Sequence, residues 1–96
     1  MIQSFADDAT ADVFHGRDSK PARSLDKTLW NVMRRKLDLV NAAHAMSDLR
    51  VPPGNRLEAL KGDLKGRLSV RVNERYRITF RFENGNAFEV RCEDYH

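Results

Sequence analysis

Apolar residues recur at three- and four-residue steps through segment 25–46, which points to one long helix. The stripe consists of Leu25, Leu29, Met33, Leu37 and Val40, with Trp30 and Val32 at its margins. Positions at these steps share one side of a helix, and Arg34, Arg35 and Asp38 fall on the other side. Ser24 precedes the stripe and has a side chain that can cap a helix N-terminus. The pattern therefore predicts a helix over 25–46 with Ser24 as its N-cap.

Two shorter elements are predicted before this helix. Residues 2–5 read IQSF and are typical of a short strand. Asp7 or Asp8 can cap a brief helix through ATADVFH, and Gly16 can end it. A polar connector, GRDSKPARS, then leads into the long helix.

Beyond position 67 apolar and polar side chains alternate, as they do in strands. The alternating segments are 68–73 (LSVRVN), 75–82 (RYRITFRF) and 87–92 (AFEVRC). In the last segment the alternation sends Phe88, Val90 and Cys92 to the core. The Asn84-Gly85 pair before it is typical of a type I′ hairpin turn.

Together these elements predict an α+β fold in a single domain, residues 1–96. An N-terminal strand and two helices come first, and a loop over 47–60, which contains Pro52-Pro53-Gly54, follows them. A three-stranded antiparallel meander ends the chain. We expect the two helices to pack on one face of this antiparallel sheet.

Positive charge is concentrated in the first part of the meander. Residues 61–81 hold seven Lys or Arg against two Asp or Glu, a local charge of +5. Residues 1–60 are nearly neutral, with nine basic and eight acidic residues, and residues 82–96 carry −3. Strand alternation places Arg75, Arg77 and Arg81 on the face opposite the apolar side chains. Such a block favours a polyanionic partner, and the alternative is a solvated strand face.

The composition is that of a globular protein and argues against several other classes of protein. Hydrophobic residues make up 41% and charged residues 32%, which is typical of a globular domain. Cys92 is a lone cysteine, and no Cys/His cluster has metal-ligand spacing. The N-terminus does not resemble a secretion signal, and no apolar run approaches the roughly 20 residues that span a bilayer. We therefore expect a cytoplasmic protein that uses neither a metal nor another cofactor.

Strand pairing predicts a candidate site at the end of the chain. The last strand runs antiparallel to 75–82, so Arg75 and Arg77 should lie beside Asp94-Tyr95-His96. Lys61, on a glycine-rich loop, should close this site from one edge. Phosphodiester cleavage in RNA needs a base, an acid and cations around the phosphorane. His96 suits either proton role, Asp94 can orient or accept a proton, and Tyr95 offers a stacking surface.

Less specific explanations exist for the same residues. A terminal histidine is often a solvated chain end, and Arg71 or Arg81 can simply keep the sheet soluble. Strand alternation makes Cys92 a core residue rather than a reactive thiol. The residues alone thus predict a small basic α+β domain that binds nucleic acid.

Residues 56–96 resemble the C-terminal half of HigB-type toxins, also called plasmid-maintenance killer proteins, of the RelE/ParE superfamily. The segments that carry the resemblance are LKGD, YRITFRF, NG and the terminal EDYH, and a weaker likeness extends over the rest of the chain. It implies a RelE-like fold and a metal-independent endoribonuclease that cuts mRNA in the A site of the 70S ribosome. It also implies a HigA-type helix-turn-helix antitoxin, with operator DNA bound only through the toxin–antitoxin complex.

The resemblance also implies which residues line the cleft. Lys61, Arg77 and Asp94-Tyr95-His96 match the family's catalytic positions, and the predicted RNA-binding residues are Lys65, Arg67, Arg71 and Arg75. Glu58 stands where some members have histidine, Arg67 and Leu68 stand where many have aromatic residues, and Arg75 replaces Asn or Gln. Two rival functions remain open, because the same fold can serve different functions. They are a ParE-like toxin that inhibits gyrase without cleaving RNA, and a catalytically weak ribosome- or RNA-binding module.

Overall fold

The computed structural model describes residues 1–62 and 66–94, and the α+β prediction is confirmed. The helices are α1 (Asp8–Phe14) and α2 (Trp30–Ala42), and the strands are β1 (Glu58–Ala59), β2 (Arg67–Arg71), β3 (Tyr76–Glu83) and β4 (Asn86–Asp94). The four strands form one antiparallel sheet in the order β1-β2-β3-β4. Both helices contact β4, and α2 also contacts β3. Neither helix in the described part of the chain is long and apolar enough to cross a membrane.

An aspartate caps α1, and a second aspartate caps the 3-10 turn that precedes α2. Asp7 caps α1, since its Oδ1 accepts a hydrogen bond from the Thr10 amide. The predicted cap at Ser24 is wrong: its hydroxyl donates to the Pro21 carbonyl instead. Asp26 accepts from the Thr28 amide and starts a 3-10 turn that leads into α2. The predicted helix over 25–46 is therefore shorter, and α2 spans Trp30–Ala42.

The core lies between α2 and the sheet, as the apolar patterns predicted. From α2 it receives Trp30, Met33, Leu37 and Val40, and from the sheet Leu68, Val70, Tyr76, Ile78, Phe80, Ala87, Val90 and Cys92. Each of these side chains is buried. Desolvation of the Cys92 thiol in this core raises its pKa to about 12. Cys92 is thus a core residue, as expected.

The predicted N-terminal strand is only partly realised. Residues 1–6 run parallel to β4 and form two isolated bridges, Ile2 with Ala87 and Phe5 with Val90. A bulge in β4 interrupts the ladder between these bridges, because Glu89 has a φ of 53° and the register shifts there. The segment nevertheless covers the outer edge of β4.

The same bulge overturns one core assignment. Phe88 was predicted to face the core, but the extra residue at Glu89 reverses the alternation, and Ala87 is the buried side chain. Phe88 is opposite Arg81 on the other face, where the Arg81 guanidinium lies 4.6 Å from the ring centroid. The Asn84-Gly85 turn is confirmed, with φ of 50° and 78° at its two residues.

Segment 47–60 is more ordered than a plain loop. It contains two 3-10 turns, Met46–Arg50 and Pro53–Asn55, and then β1, which the sequence pattern did not predict. Asn55 is buried and donates from Nδ2 to the Leu49 and Val51 carbonyls, and its Oδ1 accepts from Lys36. These bonds fix the path of the chain into β1.

Candidate functional site

A polar cleft opens where the start of β1 meets the end of β2 and the start of β3. It has a volume of about 280 Å³ and is lined by Arg56, Glu58, Arg71, Asn73, Glu74 and Arg77. Three arginines and two glutamates thus share one small concave surface. Such a combination can bind an anion and also accept a proton.

Arg77 is the central residue of this cleft. Its Nε donates to Ser69 Oγ at 2.9 Å, and its Nη2 donates to the Arg56 carbonyl at 2.8 Å. The Glu58 carboxylate lies 4.0 Å from the same Nη2. Arg77 was predicted on the open face of the sheet, but it is only 8% exposed, because segment 56–58 folds over it.

Two backbone and side-chain features hold the Arg77 guanidinium in place. Ser69 is fully buried and pairs with Thr79 across β2 and β3, two residues along β3 from Arg77 and therefore on the same face of the sheet. Arg56 has a left-handed backbone conformation, with a φ of 43°, which non-glycine residues adopt at some cost. Its carbonyl accepts from Arg77 in this conformation. Neither residue was predicted to belong to the site, because Ser69 is recognisable in the sequence only as a polar residue at a strand position.

A second group of residues lies at the C-terminal end of β4. Arg75 donates from Nε to Asp94 Oδ2 at 2.8 Å, and its Nη2 lies 2.7 Å from the same oxygen. This hydrogen bond raises the pKa of Arg75. The guanidinium also lies 5.4 Å from the Tyr76 ring centroid. Strand pairing correctly predicted that Arg75 and Asp94 meet.

The ladder assigns the two groups to different faces of the sheet. Arg77 pairs with Glu93, and Tyr76 pairs with Asp94. Successive side chains on a strand alternate between faces, so Asp94 projects on the side of the buried Tyr76, and Arg77 projects on the other. Tyr95 and His96, the remaining predicted catalytic residues, lie outside the described residues.

Lys61 lies farther from Arg77 than the sequence indicated. It is exposed and follows β1, and the pairing of Ala59 with Leu68 puts it level with Gly66. Arg77 is level with Arg71, five residues along β2. Lys61 is therefore displaced by roughly 16 Å along the strand direction.

The predicted RNA-binding residues have different surroundings. Arg67 lies 2.9 Å from the Glu89 carboxylate and also donates to the Glu89 carbonyl. Arg71 lines the cleft, and its side chain forms no hydrogen bond or ion pair with residues 1–62 or 66–94. Lys65 lies outside the described residues. Of this set, Arg71 is the cation best placed to bind an added anion beside Arg77.

Metal-ligating side chains are scattered where the structure describes them. Within residues 1–62 and 66–94, no three His, Cys, Asp or Glu side chains are grouped closely enough to hold a metal ion.

Proteins of other organisms are similar to this chain in sequence. Toxin HigB-1 of Vibrio cholerae is 49% identical over 73 residues, which cover 76% of this chain and 77% of that protein. Endoribonuclease HigB of Proteus vulgaris is 49% identical over 41 residues, which cover 43% of this chain and 45% of that protein. The local identity is thus high in both proteins, and the alignment is much longer in the first.

Solved structures share the fold at low sequence identity. YafQ from Escherichia coli BL21(DE3) matches with a TM-score of 0.62 and 14% identity, over 99% of this chain and 92% of that chain. The YoeB–YefM complex from Staphylococcus aureus matches with a TM-score of 0.61 and 14% identity, over 100% of this chain and 98% of that chain. At this identity the likeness shows the fold alone.

A family model matches nearly the full length of the chain. The model that describes the RelE-like toxin of the type II toxin–antitoxin system HigB matches residues 3–96. The predicted resemblance is therefore confirmed, and the chain belongs to the HigB-like toxins, which are RelE-like toxins of type II toxin–antitoxin systems.

Proposed function

We propose that this toxin is an endoribonuclease that cuts mRNA in the ribosomal A site and uses only protein groups for the chemistry. Its HigB relative in Proteus vulgaris bears the name endoribonuclease. The observation that carries the proposal is the buried Arg77 guanidinium, held between Ser69 Oγ and the Arg56 carbonyl at the floor of a polar cleft. A cation fixed in this way is suited to a phosphate whose charge grows during the reaction.

Arg77 and Arg71 act on the scissile phosphate. Attack of a ribose 2′-OH on the phosphorus adds negative charge to the non-bridging oxygens, and a guanidinium can donate to two of them. Ser69 Oγ and the Arg56 carbonyl already orient Arg77, so little reorganisation is needed as that charge develops. Arg71 adds a second cation at the wall of the same cleft.

Proton transfer requires a base for the 2′-OH and an acid for the leaving 5′-oxygen. Glu58 extends into the cleft 4.0 Å from Arg77 and is half-exposed, so a substrate hydroxyl can reach it. His96 is the partner for the opposite proton step. Asp94 lies on the other face of the sheet, held by Arg75 through the bond at 2.8 Å, and it orients this end of the chain rather than exchanging the proton itself. Tyr95 stacks on a base or orients the chain end.

Lys61 serves a different part of the RNA. Its position roughly 16 Å along the strand from Arg77 puts it beside another phosphate of the same strand. Lys65 and Arg67 extend this basic track. These contacts position the mRNA, and their energy is sensitive to salt.

Membership of a type II toxin–antitoxin family supports a proposal for how the toxin is regulated. A HigA-type antitoxin binds the toxin, the complex represses its own operon, and the toxin itself touches operator DNA only through that complex. The toxin acts in the cytoplasm, where its 70S ribosome and mRNA substrates are found.

Primer extension on a translated mRNA tests the proposal and separates it from gyrase inhibition. The purified toxin is added with and without ribosomes, and a parallel reaction contains gyrase and supercoiled DNA. We expect mRNA cuts only with ribosomes, and no accumulation of cleaved DNA–gyrase complexes. Intact mRNA together with such complexes would establish the gyrase rival, and ribosome binding without any cut would establish a binding-only module.

A further inference from the structure

An apolar groove lies on the outer side of α2, away from the sheet. This α2 groove is lined by Val32, Arg35, Lys36, Leu39 and Pro52, and its volume is about 240 Å³. Leu39 is 37% exposed, and Val51, which adjoins Pro52, is 69% exposed. Among the described residues the exposed large hydrophobic side chains are Met1, Leu39, Met46 and Val51. Two of the four thus lie in or beside this groove, and grouped exposed apolar side chains typically mark an interaction surface.

The rim of the α2 groove is basic. Arg35 and Lys36 lie on α2, and Arg50 precedes Val51 in the neighbouring 3-10 turn. Lys36 donates to Asn55 Oδ1 at 2.6 Å, whereas Arg35 and Arg50 form no side-chain ion pair with residues 1–62 or 66–94. Asp38 is the acidic residue of this stretch of α2, so the rim keeps a positive balance.

The apolar floor and the basic rim of the α2 groove together indicate which kind of partner binds there. The phosphates of a nucleic acid could pair with the basic rim, but a phosphate backbone would make no favourable contact with the apolar floor. A second copy of this chain would bring its own basic rim against this one, and like charges oppose such a contact. An amphipathic protein segment with apolar and acidic side chains satisfies both parts of the surface.

Because the chain belongs to a type II toxin–antitoxin family, a protein antitoxin must bind it. We propose that the α2 groove receives an acidic amphipathic segment of that antitoxin, with an apolar side chain between Leu39 and Pro52 and carboxylates at Arg35 and Arg50. The cleft around Arg77 lies on the sheet face opposite the helices, so this contact leaves it uncovered. The inference rests on family membership and not on the proposed nuclease activity.

Titration calorimetry with the full-length toxin and the antitoxin encoded beside it tests the assignment. Leu39→Gln removes apolar surface, Arg35→Glu reverses the rim charge, and Val51→Ser alters the exposed loop without touching α2. The matched control is Lys20→Glu, an exposed site outside the groove with the same charge reversal. We expect each groove variant to raise Kd at least tenfold, and the control to change it less than twofold. Higher salt should weaken wild-type binding more than that of Arg35→Glu.

Three results would overturn the proposal. Kd values within twofold of wild type for all three folded groove variants would place the antitoxin elsewhere. A toxin dimer that dissociates on Leu39→Gln would assign the groove to self-association. An equal loss of affinity in Lys20→Glu would reduce the effect to net charge. RNA cleavage is measured separately on each variant, so an inactive nuclease leaves the binding result intact.

Discussion

Ser69→Ala is the substitution that most sharply tests how Arg77 is held. The change removes one buried hydroxyl, and the alanine can keep the backbone conformation of β2. Arg77 Nε then loses the acceptor that lies at 2.9 Å, in a place where the guanidinium is only 8% exposed. A hydrogen bond to a charged group contributes about 1.5–3 kcal/mol, and an unsatisfied buried donor costs a similar amount.

Two measurements separate stability from positioning. Urea denaturation of Ser69→Ala should show a free energy of unfolding lower by about 2 kcal/mol. Steady-state cleavage on programmed ribosomes should show kcat reduced about ten- to hundredfold with little change in KM, since a loosened guanidinium matters most in the transition state. In an Arg77→Lys background, Ser69→Ala should reduce cleavage much less, because a lysine side chain has no Nε–H to donate to the hydroxyl.

Thr79→Val provides the matched control. Thr79 is buried opposite Ser69 on β3, and its hydroxyl donates to Glu93 at 2.8 Å rather than to Arg77. The Thr79→Val variant should have a lower free energy of unfolding, while its kcat stays within about threefold of wild type. Wild-type kcat in a folded Ser69→Ala, or an equal loss of kcat in Thr79→Val, would refute the positioning role of Ser69.

Three further predictions concern the rest of the fold. Gly85→Ala should lower the free energy of unfolding by about 1–2 kcal/mol in urea, because φ is +78° and the new Cβ would meet the His44 carbonyl oxygen at 3.0 Å; an unchanged midpoint would contradict this. Asn55→Ala should lower the free energy of unfolding by about 2 kcal/mol in the same assay, since it leaves the Leu49 carbonyl without its hydrogen-bond donor. An unchanged free energy would contradict this and show that water replaces the amide. Burial raises the pKa of the Cys92 thiol to about 12 in the folded protein, so the thiol ionises at a lower pH in the unfolded chain. The wild type should therefore lose up to about 1.4 kcal/mol per pH unit above pH 9 that Cys92→Ala does not lose, whereas parallel pH curves would contradict the burial of the thiol.

Local sequence patterns predicted the parts of the fold that depend on neighbours in the chain. The stripe through Met33, Leu37 and Val40 is buried, and the Asn84-Gly85 turn has two positive φ angles. Both follow from short-range periodicity and turn chemistry. The start of α2 was predicted too early, because the Ser24 hydroxyl donates to the Pro21 carbonyl and Asp26 caps a 3-10 turn that comes before the helix.

Errors arose where distant segments determine the environment. The bulge at Glu89 turns Phe88 away from the core, and an extra residue in one strand leaves no trace in the alternation of that strand alone. Pairing of β3 with β4 did predict the contact between Arg75 and Asp94. It could not predict the burial of Arg77, because the covering residues come from 56–58, far from β3 in sequence.

The most direct test of the catalytic cleft compares two arginines of β3 in one assay. Arg77→Ala and Arg81→Ala change the same residue type on the same strand face, but Arg81 contacts Glu83 and the Phe88 ring instead of lining the cleft. The assay is the single-turnover rate of mRNA cleavage on programmed ribosomes, with folding of each variant verified by circular dichroism. If Arg77 stabilises the scissile phosphate in the cleft, the cleavage rate falls at least a hundredfold in Arg77→Ala and less than fivefold in Arg81→Ala. Equal rates for the two variants, or wild-type cleavage by a folded Arg77→Ala, would contradict it.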